Sequence, residues 1–136
     1  MNEEKMKLRQ TMLNLISGFS AQYMNDADRQ IGEHIIGSDL YKEAETIFTF
    51  ITMKREIDVI PVVNQALKDG KTICAPKCYS GGRMDSLKIN SLDDVISGRK
   101  DVPEPKDSCS PVDKESIDLI LVPCLAADIG GYRLGY

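Results

Sequence analysis

The chain has 136 residues, 42% of them hydrophobic and 28% charged, and its 21 acidic residues outnumber its 17 basic ones to give a net charge of −4. This composition is typical of one globular domain, and the acidic balance argues against a protein that binds a nucleic-acid duplex. No apolar run reaches the roughly 20 residues that cross a bilayer. The charged N-terminus lacks the apolar core of a signal peptide, so we expect a cytoplasmic protein without a membrane partner.

Two helices are predicted in the first third of the chain. Residues 2–17 place most of their apolar side chains on one helical face, and Gly18 ends that helix. Residues 25–36 predict a second helix, with Asn25 or Asp26 as its N-cap.

A strand and a third helix follow. Residues 44–52 are rich in Ile, Phe and Thr, which favours a strand. Residues 57–69 carry apolar residues at helical spacing, and Gly70 closes the helix. Pro61 fits only the first turn, so this helix is predicted to begin at Asp58 or later.

The middle of the chain predicts short elements. Residues 71–75 form a strand that Pro76 ends, and residues 84–89 form another. Ser91 is predicted to cap a short helix over residues 92–97.

The last third contains a loop and then a buried strand. Residues 99–115 are rich in Pro, Asp and Lys and predict a surface loop. Residues 117–122 are almost all apolar, as in a strand of a parallel sheet that is buried on both faces. Strands alternating with helices predict an α/β fold with a mostly parallel sheet between two helical layers, a three-layer Rossmann-like arrangement. Ligands bind such sheets beyond the carboxyl ends of the strands, which here are residues 52–58, 76–83 and 123–136.

The four cysteines favour neither a zinc site nor a disulfide framework. No Cys-x-x-Cys pair is present, and the chain has one histidine, His34, which we expect to serve in packing. Disulfides would need a secretory context. Cys74 and Cys124 are predicted to be small apolar residues within strands.

Charged residues near these strand ends admit two interpretations each. Lys5 and Arg9 share a helix face and suit a phosphate, or they form a solvated basic face. Glu56 suits hydrogen-bond donors on a ligand ring, or it is a loop charge. Arg133 lies among Gly130, Gly131 and Gly135, a pattern that suits a phosphate or a hairpin turn.

Several short motifs follow one another along the chain. They are Lys5-Met6-Lys7-Leu8-Arg9, Ile51-Thr52-Met53-Lys54-Arg55-Glu56-Ile57, Ala66-Leu67-Lys68-Asp69-Gly70-Lys71, Ala75-Pro76-Lys77, Met84-Asp85, Glu104-Pro105, and Val122-Pro123, Leu125-Ala126, Asp128, Gly131 and Arg133-Leu134-Gly135-Tyr136. Together they resemble the 5-formyltetrahydrofolate cyclo-ligase family, also called 5,10-methenyltetrahydrofolate synthetase. Two departures are Cys124, where the family usually has Gly, and Ala127, where it usually has Phe.

The resemblance implies an ATP-dependent ligase that converts 5-formyltetrahydrofolate to 5,10-methenyltetrahydrofolate with magnesium, through a phosphorylated formyl oxygen. It implies a folate site at Ile51 and Glu56, and no covalent nucleophile. It implies an ATP site built from Lys5, Leu8, Arg9, Arg133, Leu134, Gly135 and Tyr136.

The family's Arg-Leu-Gly stretch continues into a glycine-rich loop, two tyrosines and an aspartate that helps to hold magnesium. The resemblance therefore implies a further C-terminal part beyond Tyr136, and no metal ligand within these residues. We expect a monomer when that part is present. Two alternatives remain open: a non-catalytic relative that binds folate or nucleotide, and, by analogy of fold only, a domain resembling sugar-phosphate isomerases or sensors.

Overall fold

Four helices and eight strands make up the part of the chain that the computed structural model describes, which is residues 2–53 and 56–136. The helices are α1 (Glu3–Ser17), α2 (Ala21–Gly37), α3 (Asp39–Glu43) and α4 (Ile60–Lys68). The strands are β1 (Thr46–Thr49), β2 (Thr72–Cys78), β3 (Met84–Ile89), β4 (Val95–Ser97), β5 (Pro103–Pro105), β6 (Leu119–Leu121), β7 (Ala126–Ala127) and β8 (Arg133–Leu134).

The central sheet has the strand order β3-β2-β1-β6. β1 runs parallel to both of its neighbours, β2 and β6, whereas β2 and β3 are antiparallel. α4 makes the crossover from β1 to β2, as parallel neighbours require. The predicted α/β fold, a mostly parallel sheet flanked by helices, is confirmed.

The main core forms where one row of the sheet meets the helices. Ile89, Ile73, Ile47 and Leu119 are register partners on successive strands, and the three isoleucines are at most 1% exposed. They pack with residues of α3 and α4 in one cluster whose other buried members are Tyr41, Ala44, Val62, Val63 and Ala66. Burial of these side chains supplies the main stabilisation of the fold.

α1 forms as predicted, but α2 begins earlier than predicted. The Asn2 side chain caps α1 by accepting from the Glu4 backbone N–H at 2.9 Å. The Ser20 hydroxyl caps α2 in the same way, by accepting from Tyr23 N at 3.1 Å. The prediction of Asn25 or Asp26 as N-cap is therefore wrong, since both lie inside the helix and are exposed to solvent.

β1 covers the middle of the predicted 44–52 strand, and α4 starts within the predicted range. Pro61 lies in the first turn of α4, where its missing N–H costs no helical hydrogen bond. Gly70 follows the helix with φ of +77°, a conformation that glycine adopts without strain.

β2 does not end at Pro76, so that prediction is wrong. The strand continues to Cys78, and Pro76 pairs with Ser86 of β3. β1 pairs with β2 only as far as Cys74, so β2 has one partner strand at the proline. Proline is tolerated at such an edge because no second ladder needs its N–H.

The predicted helix at 92–97 is also wrong. The Ser91 cap is present, but it starts a short 3-10 turn over Leu92–Asp94 that leads into β4. The predicted 99–115 loop contains β5, which pairs antiparallel with β4. The β-branched Val95 and Ile96 favour the strand.

β6 lies where predicted but is not buried on both faces. Its outer neighbour is absent from the described part of the sheet, and Ile120 is 55% exposed. Cys74 is fully buried in β2 as predicted, whereas Cys124 lies beyond β6 rather than in a strand. Among the described residues, no helix is long and apolar enough to span a membrane.

Candidate functional site

The carboxyl ends of β1, β2 and β6 meet at one edge of the sheet because the three strands are parallel. From β1, the chain crosses through α4 to β2 on one side, while β6 lies on the other side. Such a change of direction opens a crevice between the loops that leave the two strands, and ligands of α/β proteins bind there.

A cavity of about 160 Å³ occupies this crevice between β1 and β6. Its walls are mostly apolar and come from α2, the loop after β1 and the segment after β6. The lining residues are Ile31, Ile35, Phe50, Ile57, Val59, Leu121, Val122, Pro123, Cys124 and Tyr136.

Tyr136 lines this cavity and lies near Glu56. Partial burial raises the pKa of the Tyr136 hydroxyl, and the nearby Glu56 carboxylate and Cys124 raise it further. The last residue of the chain therefore lies close to the loop that follows β1. The resemblance implies that Tyr136 binds ATP and that Glu56 binds folate. These two residues lie at the same edge of the sheet.

A hydrogen bond brings α1 to the same edge. Arg9 Nε donates to the Gly135 carbonyl oxygen at 2.9 Å, across 126 positions of sequence. Arg9 is half-buried, and Leu134 beside Gly135 is buried. The first and last motifs of the chain are thus in direct contact.

The glycines after β6 form an ordered hairpin turn between β7 and β8. Gly131 has φ of +85° and donates to the Asp128 carbonyl at 3.1 Å, while Asp128 Oδ1 accepts from Tyr132 N at 3.0 Å. This turn accounts for Gly131 as the hairpin interpretation predicts. Arg133 starts β8 immediately after it.

Hydrogen bonds fix the loop that carries Glu56. Thr52 Oγ1 donates to the Ile57 carbonyl at 3.0 Å and accepts from Val59 N at 2.8 Å. Glu56 Oε2 accepts from Met53 N at 2.8 Å. The half-buried Glu56 carboxylate is therefore held by the Met53 backbone. Lys54 and Arg55 of the quoted motif lie outside the described residues.

The remaining predicted site residues stand further apart. Lys5, Leu8 and Arg133 are exposed, and neither cation has a side-chain hydrogen bond or ion pair among residues 2–53 and 56–136. Ile51 is half-buried directly after β1 but does not line the cavity between β1 and β6. Lys5 and Arg9 are one helical turn apart on α1, so they share a face.

The apolar walls of the cavity and the residues that support the loop were not predicted from the sequence. Ile31 and Ile35 are four residues apart on α2, a spacing that was available as a signal for one apolar stripe. Thr52 and Asp28 also went unnoticed, although Asp28 Oδ1 accepts from Asp58 N at 3.2 Å and ties α2 to the loop.

The fold and the crevice at the carboxyl edge define an α/β protein with a ligand site at a change of strand direction. The model of the 5-formyltetrahydrofolate cyclo-ligase family matches residues 1–136, so the chain belongs to that family. The expected family is therefore confirmed.

Individual relatives agree with this assignment. A probable 5-formyltetrahydrofolate cyclo-ligase of Caenorhabditis elegans is 27% identical over 98% of this chain and 68% of its own length. The 5-formyltetrahydrofolate cyclo-ligase of Escherichia coli is 27% identical over 68% of this chain and 52% of its own length. The NMR structure of Aquifex aeolicus 5,10-methenyltetrahydrofolate synthetase superposes with a TM-score of 0.84 at 25% identity. That match covers 97% of this chain and 66% of the Aquifex chain, so this chain spans about half to two thirds of these relatives.

Proposed function

We propose that this protein takes part in the ATP- and magnesium-dependent conversion of 5-formyltetrahydrofolate to 5,10-methenyltetrahydrofolate. Membership of the cyclo-ligase family supports the reaction class. The observation that carries the proposal is the Arg9–Gly135 hydrogen bond, because it draws the cationic face of α1 onto residues 133–136.

ATP would lie between these two segments. Lys5, Arg9 and Arg133 supply positive charge for the phosphates, and Arg9 is already oriented by its bond to Gly135. Leu8, Leu134, Gly135 and Tyr136 complete the proposed binding surface. Tyr136 lines the crevice where parallel strands end, the usual place for a ligand in such folds.

The folate would lie against the loop after β1. Ile51 serves as an apolar wall, and the Glu56 carboxylate accepts hydrogen bonds from ring N–H or amino groups. Thr52 and Met53 hold the Glu56 turn, so the carboxylate is positioned before the ligand arrives. Such preorganisation reduces the entropy lost on binding.

The reaction requires that the two ligands are aligned and that the charge of the transferring phosphoryl group is neutralised. It needs no covalent nucleophile. The formyl oxygen attacks the terminal phosphorus of ATP and ADP leaves. N10 of the folate then attacks the activated carbon and loses its proton to the solvent, the carbon–oxygen bond breaks, and phosphate departs. The proposed cations stabilise charge on the transferring phosphoryl group, and the crevice holds the two ligands in line.

Magnesium would be held chiefly by phosphate oxygens and water, as is usual for nucleotide sites. Within the described residues there is no group of three or more His, Cys, Asp or Glu side chains that suits a metal.

Arg9→Ala, Arg133→Ala and the double variant test the ATP site. We expect each single change to raise KM for ATP and lower turnover, with effects that are not additive because the residues act in one cluster. ATP affinity, measured by equilibrium dialysis, gives the same comparison independently of turnover. Lys88→Ala is the control, since Lys88 is an exposed cation on β3.

The solvated-face interpretation makes a different prediction. It expects ATP binding and kinetics to be unchanged in Arg9→Ala while Arg133→Ala alone is damaging, and that result would remove α1 from the site. Binding of both ligands without turnover would instead favour the non-catalytic relative.

A further inference from the structure

One row of side chains along β2 ends in a buried cation. Ile73, Ala75 and Lys77 alternate along the strand, so they share the face of the sheet that carries the main core. Ile73 and Ala75 are at most 1% exposed, and Lys77 is 6% exposed. Removal of a charge from water is costly unless the charge is paired, so the partners of Lys77 indicate what it does.

Three partners of the Lys77 ammonium lie on β5 or just after it. Lys77 Nζ lies 2.9 Å from Glu104 Oε1 and 2.8 Å from Asp107 Oδ1, and it donates to the Pro105 carbonyl oxygen at 3.2 Å. The hydrogen bonds to Asp107 and Glu104 raise the pKa of Lys77, so its side chain stays charged at neutral pH. Lys77 therefore joins the end of β2 to β5.

Glu104 is the more important of the two charged partners. Its side chain is 13% exposed, whereas the side chain of Asp107 is 89% exposed. Water screens the pair with Asp107, so the pair with Glu104 supplies most of the attraction.

The turn between β4 and β5 is built closely around the Glu104 side chain. A Cβ on Gly98 would overlap that side chain, so glycine is required at this position. Lys100 and Asp101 in the same turn have φ of +54° and +59°, a left-handed conformation that non-glycine residues rarely adopt. Such backbone persists only where its surroundings hold it, and the contact between Lys77 and Glu104 is part of those surroundings.

The hairpin of β4 and β5 forms one wall of a second cavity, of about 360 Å³, beyond the carboxyl end of β2. Arg99 and Glu104 line this cavity from the hairpin, and Tyr79 and Ser80 line it from the turn after β2. It shares no lining residue with the cavity between β1 and β6. Because Lys77 belongs to β2 and holds Glu104, it sets the distance between the two walls.

The sizes of the two cavities relate this wall to the proposed folate site. The cavity between β1 and β6 measures about 160 Å³, which is below the roughly 300–1,000 Å³ of sites for drug-sized ligands. β1 and β2 are adjacent parallel strands, so the loops that leave them are neighbours at one edge. A folate is an elongated molecule, and one that is anchored at Glu56 extends along this edge towards the hairpin.

We infer that Lys77 is a positioning residue, which holds Glu104 and the hairpin of β4 and β5 in place as the far wall of the folate site. The inference rests on the proposed function, since it assumes that the folate is anchored at Glu56. Lys77 does not line the cavity itself and acts through Glu104. A wall that is fixed before the ligand arrives reduces the entropy lost on binding.

Lys77→Met tests the inference, since methionine keeps a long unbranched side chain without the charge. In equilibrium dialysis of the 136-residue chain, we expect 5-formyltetrahydrofolate to bind about ten- to a hundredfold more weakly, the range found for groups that orient the ligands of a metal site. ATP affinity should change little, because the residues proposed for ATP lie on α1 and at 133–136. Lys77→Arg keeps the charge and should keep most of the folate affinity.

Two further variants locate the effect. Glu104→Gln keeps the shape of the side chain but removes its charge, so it should also weaken folate binding. Asp107→Asn changes the exposed partner and should leave folate binding nearly unchanged. If Lys77→Met does not fold, Glu104→Gln gives the same comparison, and unchanged folate affinity in that variant overturns the inference.

A variant in the core separates positioning from stability. Lys77→Met leaves Glu104 unpaired and should lower the stability of the fold, as Ile89→Ala should by removing buried methyl groups. Ile89 lines neither cavity, so Ile89→Ala should bind folate as the parent does wherever both are folded. Unchanged folate affinity in Lys77→Met, or an equal loss in Ile89→Ala, overturns the inference alone. Failure of the parent chain to bind folate overturns the folate site and this inference together.

Discussion

The two sides of β1 differ sharply in burial. Towards β2 and β3, the register partners Ile47, Ile73 and Ile89 are at most 1% exposed and pack against α4. Towards β6, Ile120 is 55% exposed and Val122 is 47% exposed. One strand therefore separates a closed core from an open edge.

The two regions therefore have different roles, one in stability and the other in binding. The closed side buries the apolar surface that stabilises the fold. The open side contains the crevice, which Tyr136 lines. Variants on the closed side should change stability, whereas variants at the crevice should change binding.

The largest expected effect is on the closed side. Ile47→Ala should lower the free energy of unfolding by about 2–5 kcal/mol, because it removes buried methyl groups and leaves a cavity. Ile120→Ala on the neighbouring strand should cost about 1 kcal/mol or less, since that side chain is half exposed. Urea unfolding of both variants measures the contrast, and equal losses would contradict the division between the two sides.

The next effect is at the crevice. Glu56→Gln keeps the shape of the side chain but removes its charge, so 5-formyltetrahydrofolate should bind about ten- to a hundredfold more weakly, equivalent to about 1.5–3 kcal/mol. ATP affinity should change little, and the urea midpoint should stay near that of the parent protein. Unchanged folate affinity would show that Glu56 only closes its own turn with Met53.

The smallest expected effect is on how stability depends on pH. Asp118 accepts from Glu45 N and Thr46 N, each at 3.0 Å, and these two hydrogen bonds lower its pKa. Its stabilising contribution is therefore complete above the unfolded pKa near 4 and is lost as pH falls through the lower folded value. Asp118→Asn should make unfolding less dependent on pH in this acidic range.

Asp69 provides the matched control on the closed side. Hydrogen bonds from Tyr41 and Gln65 lower its pKa, so its contribution is also lost in acid. Asp118→Asn should loosen β6 first and Asp69→Asn the contact between α3 and α4, as hydrogen exchange of the β6 and α4 amides would show. Identical exchange patterns in the two variants would contradict local anchoring by Asp118.

Local signals predicted much of the fold correctly. The Ser91 cap, Pro61 in the first turn of α4 and Gly70 after it all act over a few residues. The wrong predictions concern features that depend on residues distant in sequence. Pro76 remains in β2 because β1 has already ended beside it, a fact that depends on sheet order.

The site was predicted less completely than the fold. Motif resemblance singled out Arg9 and Gly135, but their direct contact joins residues 126 positions apart and depends on the finished fold. The crevice walls combine Ile31 from α2 with Phe50 and Pro123 from different strand ends. Such residues are ordinary core formers in sequence, and only their convergence in space distinguishes them.

The bond between Arg9 and Gly135 also bears on the order in which the protein assembles. It closes a loop of 126 positions, and contacts of such long range form late in folding because chain entropy opposes them. None of the α1 side chains is fully buried, so the helix can detach while the sheet stays intact. We therefore expect the surface proposed for the nucleotide to form late in folding and to be lost early on warming. Heat should abolish ATP binding before the core unfolds.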